Sequence, residues 1–279
     1  MLALIAGQGA LPRAVADACP ERPLICALEP HMPEGLAVDR SFRVETLGSF
    51  LHWLRKRGVT RICMVGRVSR PEIRLTQLDW RTVLMLPAFR RALKRGDDGA
   101  LRIVIGLLEG AGFEVVGAHE AAPDLLPPSG VLTQVQPGAA DIAAARLGDQ
   151  VSREQGARDF GQACVIRDGA VLAREDEAGT DAMIAALEAA VGGVLYKAEK
   201  PGQDHRADLP VVGPRTAEGA VRAGLSGIVL SAGGVMMVDR PAMIEALDAA
   251  GLFLWVRERD AGRFISRPAS PRATSSARR

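Results

Sequence analysis

The charged segment from Lys197 to Pro210, KAEKPGQDHRADLP, has residue types suited to chemistry on an anionic substrate. Its cationic candidates are Lys197, Lys200, His205 and Arg206, and its carboxylates are Glu199, Asp204 and Asp208. A Pro-Gly pair breaks regular structure between two apolar runs, so the segment is predicted to be a loop between strands. Such loops commonly present binding and catalytic groups. The segment therefore indicates a site for an anion, with carboxylates available for a metal ion or a water. A solvated charged loop is the alternative.

Two glycine-containing turns follow apolar runs and could contact the same anion. Leu2–Ala6 is predicted to be a buried parallel strand. Gly7-Gln8-Gly9 follows it and leads into a predicted helix, an arrangement in which backbone amides can cradle a phosphate. Gly66 and Arg67 directly follow the apolar run 61–65. They therefore lie at the carboxyl end of a predicted strand, where open α/β sheets bind ligands.

The first turn also resembles part of a dinucleotide-binding fingerprint. A predicted strand over 24–28 ends at Glu29, where a Rossmann fold keeps its ribose-binding acid. Pro12 occupies the third glycine position of GxGxxG, and the motif alone is a weak indication. An NAD-dependent oxidoreductase is therefore an alternative, and a nucleotide or pyrophosphate contact is favoured over it.

Three residues near predicted helix starts have two open roles each. Asp97 lies between helices predicted over 80–94 and 98–109, where it could cap the second helix or bind a metal ion. Thr180 and Asp181 precede a helix predicted to run to Val191, where capping the helix and binding an oxyanion compete evenly.

Composition bounds the class of protein. The 279 residues suffice for two domains, and the net charge of +2 owes much to the arginine-rich C-terminus. The remaining body is mildly acidic, so nucleic acid is not an expected partner. The four cysteines have no zinc-site or disulfide-framework spacing. Neither a secretory signal nor an apolar run of roughly 20 residues is apparent, so a cytoplasmic protein is expected.

The order of apolar runs and turns predicts an α/β protein of two domains. Strands and helices alternate in the first half, which indicates a parallel sheet. Asp168-Gly169 between two apolar runs indicates an antiparallel hairpin in the second half. We predict a Rossmann-like parallel-sheet domain at 1–128, a linker at 129–137, a mixed α/β domain at 138–259 and a disordered basic tail at 260–279. The ligand is expected between the two domains.

Six segments, in order from residue 4 to residue 213, resemble one known family. They are LIAGQGALP, GRVSRP, KRGDDGALR, GFEVVGAHE, GQACVI with VLAREDEAGTDAMI, and KPGQDHRADLPVVG. The family is the two-domain UDP-2,3-diacylglucosamine pyrophosphatase of lipid A biosynthesis. Arg67 stands where the family pattern has a smaller polar residue, which puts that side chain's contact in question.

The resemblance implies hydrolysis of UDP-2,3-diacylglucosamine to 2,3-diacylglucosamine 1-phosphate (lipid X) and UMP. Water would attack the α-phosphorus with Mg²⁺ or Mn²⁺ assisting. Asp208 would be the catalytic carboxylate, as a metal ligand or as the group that orients the water. Lys200 and Arg206 would face the pyrophosphate. Gln203 is also predicted to bind the substrate.

The same resemblance implies partners and leaves one more alternative. A homodimer is expected, together with an apolar groove for the acyl chains and a peripheral contact with the inner-membrane surface, which the basic tail could assist. A non-catalytic nucleotide-sugar or lipid-binding protein is the alternative to an enzyme.

Overall fold

Two β-sheets, each covered on both faces, organise the chain. The computed structural model describes residues 1–69, 73–85, 97–158, 160–187, 190–202, 204–206 and 209–259, with the backbone alone at 97–100. None of the described helices is both long enough and apolar enough to cross a membrane.

The first sheet is parallel and has the strand order β3-β2-β1-β4-β5. Its strands are β1 (Leu2–Ala6), β2 (Leu24–Leu28), β3 (Arg40–Phe42), β4 (Arg61–Val65) and β5 (Glu114–Val116). The helices in the described part of this half are α1 (Leu11–Ala18), α2 (Leu47–Lys56), α3 (Trp80–Val83), α4 (Asp97–Gly110) and α5 (Ala118–Ala121). The strand order reverses between β1 and β4, and such a switch point leaves a crevice at the carboxyl ends of the strands.

The second sheet is mixed and has the order β6-β13-β11-β9-β7-β8. Its strands are β6 (Gly130–Val131), β7 (Ala163–Arg167), β8 (Ala170–Arg174), β9 (Val194–Lys197), β11 (Gly227–Ser231) and β13 (Phe253–Arg257). Its helices are α6 (Ala139–Ala157), α7 (Thr180–Ala185), α8 (Pro214–Arg222) and α9 (Arg240–Ala249). The core on one face includes residues of α7, α8 and α9, and the core on the other face includes residues of α6.

A small two-stranded sheet joins the two halves. It pairs β10 (Val211–Val212) with β12 (Met236–Met237) in parallel. Leu209 and Met236 are buried in the same cluster as Leu4 and Val65 of the first sheet, with Val211 packed against it. The second half therefore contributes apolar side chains to the core of the first.

The predicted fold class is confirmed, and several element boundaries were wrong. The first half is a parallel sheet in Rossmann-type order, and Asp168-Gly169 turns the antiparallel hairpin β7–β8. The strand β6 lies within the segment predicted as a linker. The helix predicted to reach Val191 ends at Ala185, because the Leu187 amide bonds the Ile184 carbonyl in a tighter turn. The helix predicted over 80–94 is described only as Trp80–Val83, and residues 86–96 lie outside the description.

Candidate active site between the two domains

A cavity of about 520 Å³ lies between the two halves of the chain. The first half contributes Gln8, Gly9, Ala10, Leu11, Met64, Val65, Gly66, Arg67 and Ala118 to its lining. The second half contributes residues of three segments, 175–181, 205–216 and 236–238, together with Gln162 and Lys197. The first wall is the crevice at the switch point between β1 and β4, where open α/β sheets bind ligands.

The two predicted glycine turns form one wall, because they bond to each other. The Gln8 amide donates to the Arg67 carbonyl and the Arg67 amide donates to the Gln8 carbonyl, both at 2.9 Å. A Cβ atom on Gly7 would lie 2.5 Å from the Arg67 carbonyl oxygen. Gly66 has a φ of +88°, and a Cβ atom there would lie 2.8 Å from the Gly7 carbonyl carbon. Only glycine allows this close approach of two backbones.

The same contact corrects one expectation about the donors of the first turn. The Gly7 amide donates to the Val65 carbonyl at 2.8 Å, and the Gln8 amide is used by Arg67. Neither amide can therefore cradle a phosphate in this arrangement. Gly9, Ala10 and Leu11, which line the cavity at the start of α1, are the positions of this turn that could still do so.

Three helices begin at the cavity without a side-chain cap. Their N-cap residues are Ala10 for α1, Gly179 for α7 and Gly213 for α8, and none of these makes a side-chain capping bond. A helix N-terminus carries a partial positive charge and unpaired amide groups. The cavity lining thus includes three helix N-termini, each of which could offer partial positive charge to a bound anion.

This geometry excludes capping, one of the two roles left open for Thr180 and Asp181. Neither residue caps α7, because Gly179 holds the cap position and Thr180 is already helical. The Thr180 hydroxyl donates to the Glu175 carboxylate and accepts from the Lys197 ammonium, both at 2.8 Å. Asp181 lies 3.6 Å from the Arg215 guanidinium at an exposed edge of the cavity. A capping role was the wrong expectation for both residues.

Lys197 places a cation in the cavity wall. The residue is buried, with only 7% of its surface exposed. The ammonium donates to Thr180 Oγ1 at 2.8 Å and to the Val211 carbonyl at 3.1 Å. Glu175, also buried, accepts from the Gln162 amide as well as from Thr180. These bonds hold the ammonium in one orientation at the cavity wall.

Strand alternation explains why Lys197 reaches the cavity. The preceding residue, Tyr196, points to the opposite face of the sheet, where its hydroxyl contacts the Asp149 carboxylate on α6. Successive side chains of a strand point to opposite faces. Lys197 therefore points towards α7 and the cavity, away from α6.

Arg206 lines the cavity with its charge already paired. Its guanidinium bonds the Asp204 carboxylate at 2.8 and 2.9 Å and the Glu109 carboxylate of α4 at 2.6 Å. The hydrogen bond from Arg206 holds the pKa of Asp204 below its ordinary value. The bond to Asp204 likewise raises the pKa of Arg206. Arg206 therefore bridges the two halves of the chain beside the cavity.

The structure brings most of the predicted site residues together. Those that line the cavity are Gln8, Gly9, Gly66, Arg67, Thr180, Asp181 and Arg206. Gly7 lies directly behind this wall, bonded to Val65. Lys200 is not among the lining residues. Gln203 and Asp208 lie outside the described residues, and Asp97 is described only as the first residue of α4.

Lys197, Glu175 and Arg215 line the cavity. Lys197 was named among the cationic candidates but given no role at the site, and the other two were not predicted. A signal for Lys197 was available, because it is one of four lysines and ends an otherwise apolar strand. A lysine at the end of a buried strand needs hydrogen-bond or charge partners for its ammonium, so it is a candidate site residue. Glu175 and Arg215 have no comparable signal in a chain rich in both residue types.

The described residues give little support to the other two predictions, NAD binding and metal binding. Glu29 accepts from the Ser41 hydroxyl at 2.6 Å and is not among the residues that line the cavity. Within the described part of the chain, no group of three or more His, Cys, Asp or Glu could hold a metal ion. Both oxygens of the buried Glu175 already accept hydrogen bonds. These residues do not by themselves fit a metal ion.

The fold and the cavity define a two-domain α/β protein with a cationic interdomain cleft suited to a phosphorylated ligand. The family model for the LpxI N-terminal domain matches residues 1–125, and the model for the LpxI C-terminal domain matches residues 128–255. The chain is 38% identical over 270 residues to a protein of Caulobacter vibrioides named UDP-2,3-diacylglucosamine pyrophosphatase LpxI, covering 91% of this chain and 96% of that relative.

This chain therefore belongs to the LpxI family. The match spans both domains, so the resemblance predicted from the six segments is confirmed at the level of the family. The prediction of an enzyme, rather than a non-catalytic binding protein, is confirmed with it.

Proposed function

We propose that this chain hydrolyses the pyrophosphate of UDP-2,3-diacylglucosamine, releasing 2,3-diacylglucosamine 1-phosphate and UMP in lipid A biosynthesis. The name of its Caulobacter relative supports the substrate, since the two chains align over almost their whole lengths. The proposed place of work is the cytoplasm, at the inner-membrane surface.

The observation that carries the proposal is the convergence of Lys197 and three uncapped helix N-termini on one cavity. A pyrophosphate diester carries two negative charges, which repel an attacking water. Oriented cationic groups and helix N-termini offset this repulsion, and they stabilise charge most effectively where water is largely excluded. A buried lysine with fixed partners costs no reorganisation when the charge develops.

In the proposed reaction, the water oxygen bonds to the α-phosphorus and the bond from that phosphorus to the bridging oxygen breaks. The bridging oxygen leaves with 2,3-diacylglucosamine 1-phosphate, and the water proton passes to a carboxylate or to solvent. Lys197 holds its ammonium against the equatorial or leaving oxygens, and Thr180 and Glu175 keep that ammonium oriented. Arg67 and Arg215 add positive charge at the cavity walls.

Asp208 is proposed as the carboxylate that orients the water or binds the metal ion, on the family resemblance of the RADLP segment alone. It lies outside the described residues, but its sequence neighbours Arg206 and Leu209 both line the cavity. A general base or metal ligand has to lie within hydrogen-bond or coordination distance of the reacting groups.

The decisive assay is UMP release from UDP-2,3-diacylglucosamine in detergent micelles. We expect turnover by the natural chain and a loss of at least about 10²-fold in kcat/KM for Asp208→Asn. Glu199→Gln, which changes a carboxylate of the same segment outside the cavity lining, is the matched control. No UMP from the natural chain would reject the proposed function, and full activity of Asp208→Asn would reject the role of Asp208.

The phosphorus that is attacked can be read from an isotope. In ¹⁸O-labelled water, attack at the α-phosphorus places the label in UMP. Label in 2,3-diacylglucosamine 1-phosphate would contradict the proposed direction of attack.

Mg²⁺ or Mn²⁺ is proposed as the cofactor on the same resemblance, with Asp208 and Asp97 as its candidate ligands. A divalent ion would add positive charge beside the pyrophosphate when bound. Chelation should abolish UMP release, and Mg²⁺ or Mn²⁺ should restore it. Undiminished turnover in excess chelator would contradict the metal requirement.

A homodimer is also proposed from the resemblance. Sedimentation at several protein concentrations should give twice the mass of one 29.6 kDa chain. A monomer throughout would reject this part.

A further inference from the structure

The segment 73–85 on the first domain exposes large apolar side chains to solvent. Leu75 is 70% exposed, Trp80 is 65% exposed and Leu84 is 71% exposed, with Val83 at 44%. These four residues form the α3 ridge: Leu75 begins the 3₁₀ turn before α3, Trp80 and Val83 lie on α3, and Leu84 is its C-cap. Single exposed apolar residues are ordinary on protein surfaces, but a cluster of them indicates an interaction site.

A groove of about 420 Å³ runs beside this ridge, between α2, α3 and α4. Its lining combines apolar side chains with basic ones. The apolar members include Leu51, Trp80, Leu84, Met85 and Leu107, and the polar members are His52, Arg55 and Arg81. The Arg81 guanidinium lies 4.4 Å from the centre of the Trp80 ring.

The charge around the ridge is strongly positive. The Arg81 cation, followed by desolvation and the cations of Lys56 and Arg55, lowers the pKa of His52 below its ordinary value. Within the described residues, the carboxylates near the ridge are already used within the fold. Asp79 caps α3 by accepting from the Thr82 amide at 2.6 Å.

Glu45, the other carboxylate nearby, is also used within the fold. It is buried, and it accepts from the Arg74 amide and the Arg43 guanidinium. The solvent next to the ridge therefore meets cations and apolar atoms.

We propose that the α3 ridge docks the protein onto an anionic lipid surface. Trp80 and the leucines would enter the boundary between headgroups and acyl chains, where tryptophan is favoured and buried apolar area gives binding. Arg55, Lys56 and Arg81 would meet the anionic headgroups. A second copy of this chain is the less favourable occupant, because it would bring the same cations against one another.

This surface differs from the cavity between the domains. α4 lies between the two: Gly106, Leu107 and Gly110 of α4 line the groove, while Glu109 bonds Arg206 at the cavity. The choice of lipid as the occupant draws on the proposed function, since an enzyme for a diacylated substrate must take it from a membrane. Docking at the ridge would bring the protein to the bilayer that contains its substrate.

The test is co-sedimentation of the full chain with two kinds of vesicle. One contains phosphatidylethanolamine with phosphatidylglycerol, and the other contains phosphatidylcholine alone. We expect binding to the anionic vesicles, with Leu84→Glu and Leu75→Glu each lowering the partition coefficient about tenfold or more. Lys56→Gln should lower it about fivefold, and by less in high salt.

Val191→Glu is the matched control, because Val191 is 72% exposed on the second domain. It introduces the same charge in place of an exposed apolar residue and should leave vesicle binding unchanged. Every variant retains residues 260–279, so any contribution of the basic tail is common to all. Circular dichroism melts establish that each variant is folded, and two independent ridge variants guard against the failure of one.

Three results would overturn the proposal. The natural chain could fail to bind anionic vesicles, the ridge variants could bind as well as the natural chain, or Val191→Glu could weaken binding equally. Dissociation of a dimer by Leu84→Glu, with vesicle binding unchanged, would assign the ridge to a second copy instead. The proposed function is judged separately, by UMP release from micellar substrate, which the ridge variants should leave near the natural rate.

Discussion

Glu109 of the first domain and Arg206 of the second form a salt bridge of 2.6 Å beside the interdomain cavity. The Arg206 guanidinium also bonds Asp204 within its own loop. One arginine thus joins the α4 helix to the charged segment that the sequence indicated as the site. A bridge in this place can influence ligand binding without adding much to the stability of the folded chain.

Breaking this bridge from the Glu109 side should cost little stability. Both side chains are more than a third exposed, at 37% and 46%, and exposed ion pairs contribute about 0–1 kcal/mol. Glu109→Gln should therefore lower the free energy of unfolding by less than about 1 kcal/mol in urea titrations. Arg206→Gln should lower kcat/KM more than Glu109→Gln does, because Arg206 also lines the cavity. Equal kinetic losses in the two variants would show that the bridge, rather than the arginine, matters for activity.

Lys197 and Lys200 form a matched pair for testing the source of positive charge. Lys197 lines the cavity and Lys200, three residues later, does not. Lys197→Met should lower kcat/KM by about 10²- to 10³-fold, the effect of removing one preorganised charge-stabilising donor. Lys200→Met should stay within about threefold of the natural chain, well below that effect.

A structural explanation for Lys197 has to be separated from a catalytic one. Removing the ammonium leaves Thr180 and the Val211 carbonyl without that donor, at about 1–3 kcal/mol of stability. The affinity for UMP, measured by calorimetry well below the melting temperature, should fall for Lys197→Met and not for Lys200→Met. If the Lys200 variant is the one that loses both activity and affinity, the sequence-based choice of Lys200 is right.

The main features of the fold could be predicted from the sequence, because most strands are marked by a local apolar run and by the residues that end it. Leu2–Ala6, Leu24–Leu28 and Arg61–Val65 are short apolar runs bounded by glycine or proline, and each forms a strand where predicted. β3 and β6, of three and two residues, have too few positions to show any periodicity. Their pairing depends on neighbouring strands that no local pattern identifies.

The parts of the site that require glycine could be predicted from the sequence. The parts that depend on which way a side chain points were harder to predict. Gly66 follows a strand and needs a positive φ, so the sequence marks the turn directly. Lys197 and Lys200 lie in one charged segment, and the phase of β9 determines that Lys197 is the one at the cavity. The capping role considered for Thr180 and Asp181 is not observed, because Gly179 is the N-cap and Thr180 is already the first residue of α7.

Asp204 should make the stability of the charged segment depend on pH. The hydrogen bond from Arg206 holds the folded-state pKa of Asp204 below its ordinary value of 3.8. A carboxyl with a lowered pKa stabilises the folded state while it is ionised, and this stabilisation is lost as pH falls through the folded-state pKa. Asp204→Asn should therefore cost up to about 1 kcal/mol at pH 7, discounted for the exposure of Arg206, and this cost should shrink as pH falls below 3.8 and vanish below the folded-state pKa. Urea unfolding at a series of pH values measures the difference, and a difference that stays constant with pH would contradict this assignment.

Gly66→Ala should damage both stability and activity, because Gly66 meets two constraints at once. Its φ is +88°, and a Cβ atom would lie 2.8 Å from both the Gly7 carbonyl carbon and Pro12 Cγ. Gly58→Ala is the matched control, since Gly58 has a φ of +74° with no atom within 4 Å of the added Cβ. The left-handed conformation alone costs alanine about 1–2 kcal/mol, which is the loss expected for Gly58→Ala in urea unfolding.

Gly66→Ala should exceed that loss, because the turns at Gly7 and Gly66 must separate to admit the methyl group. Their separation would break the paired hydrogen bonds between Gln8 and Arg67 and displace one wall of the cavity. We expect kcat/KM for UMP release to fall at least tenfold in Gly66→Ala, as a shift of about 1 Å in a positioning wall would cause, while Gly58→Ala keeps the natural rate. Equal losses of stability and of activity in the two variants would mean that the contact between the two turns does not position the site.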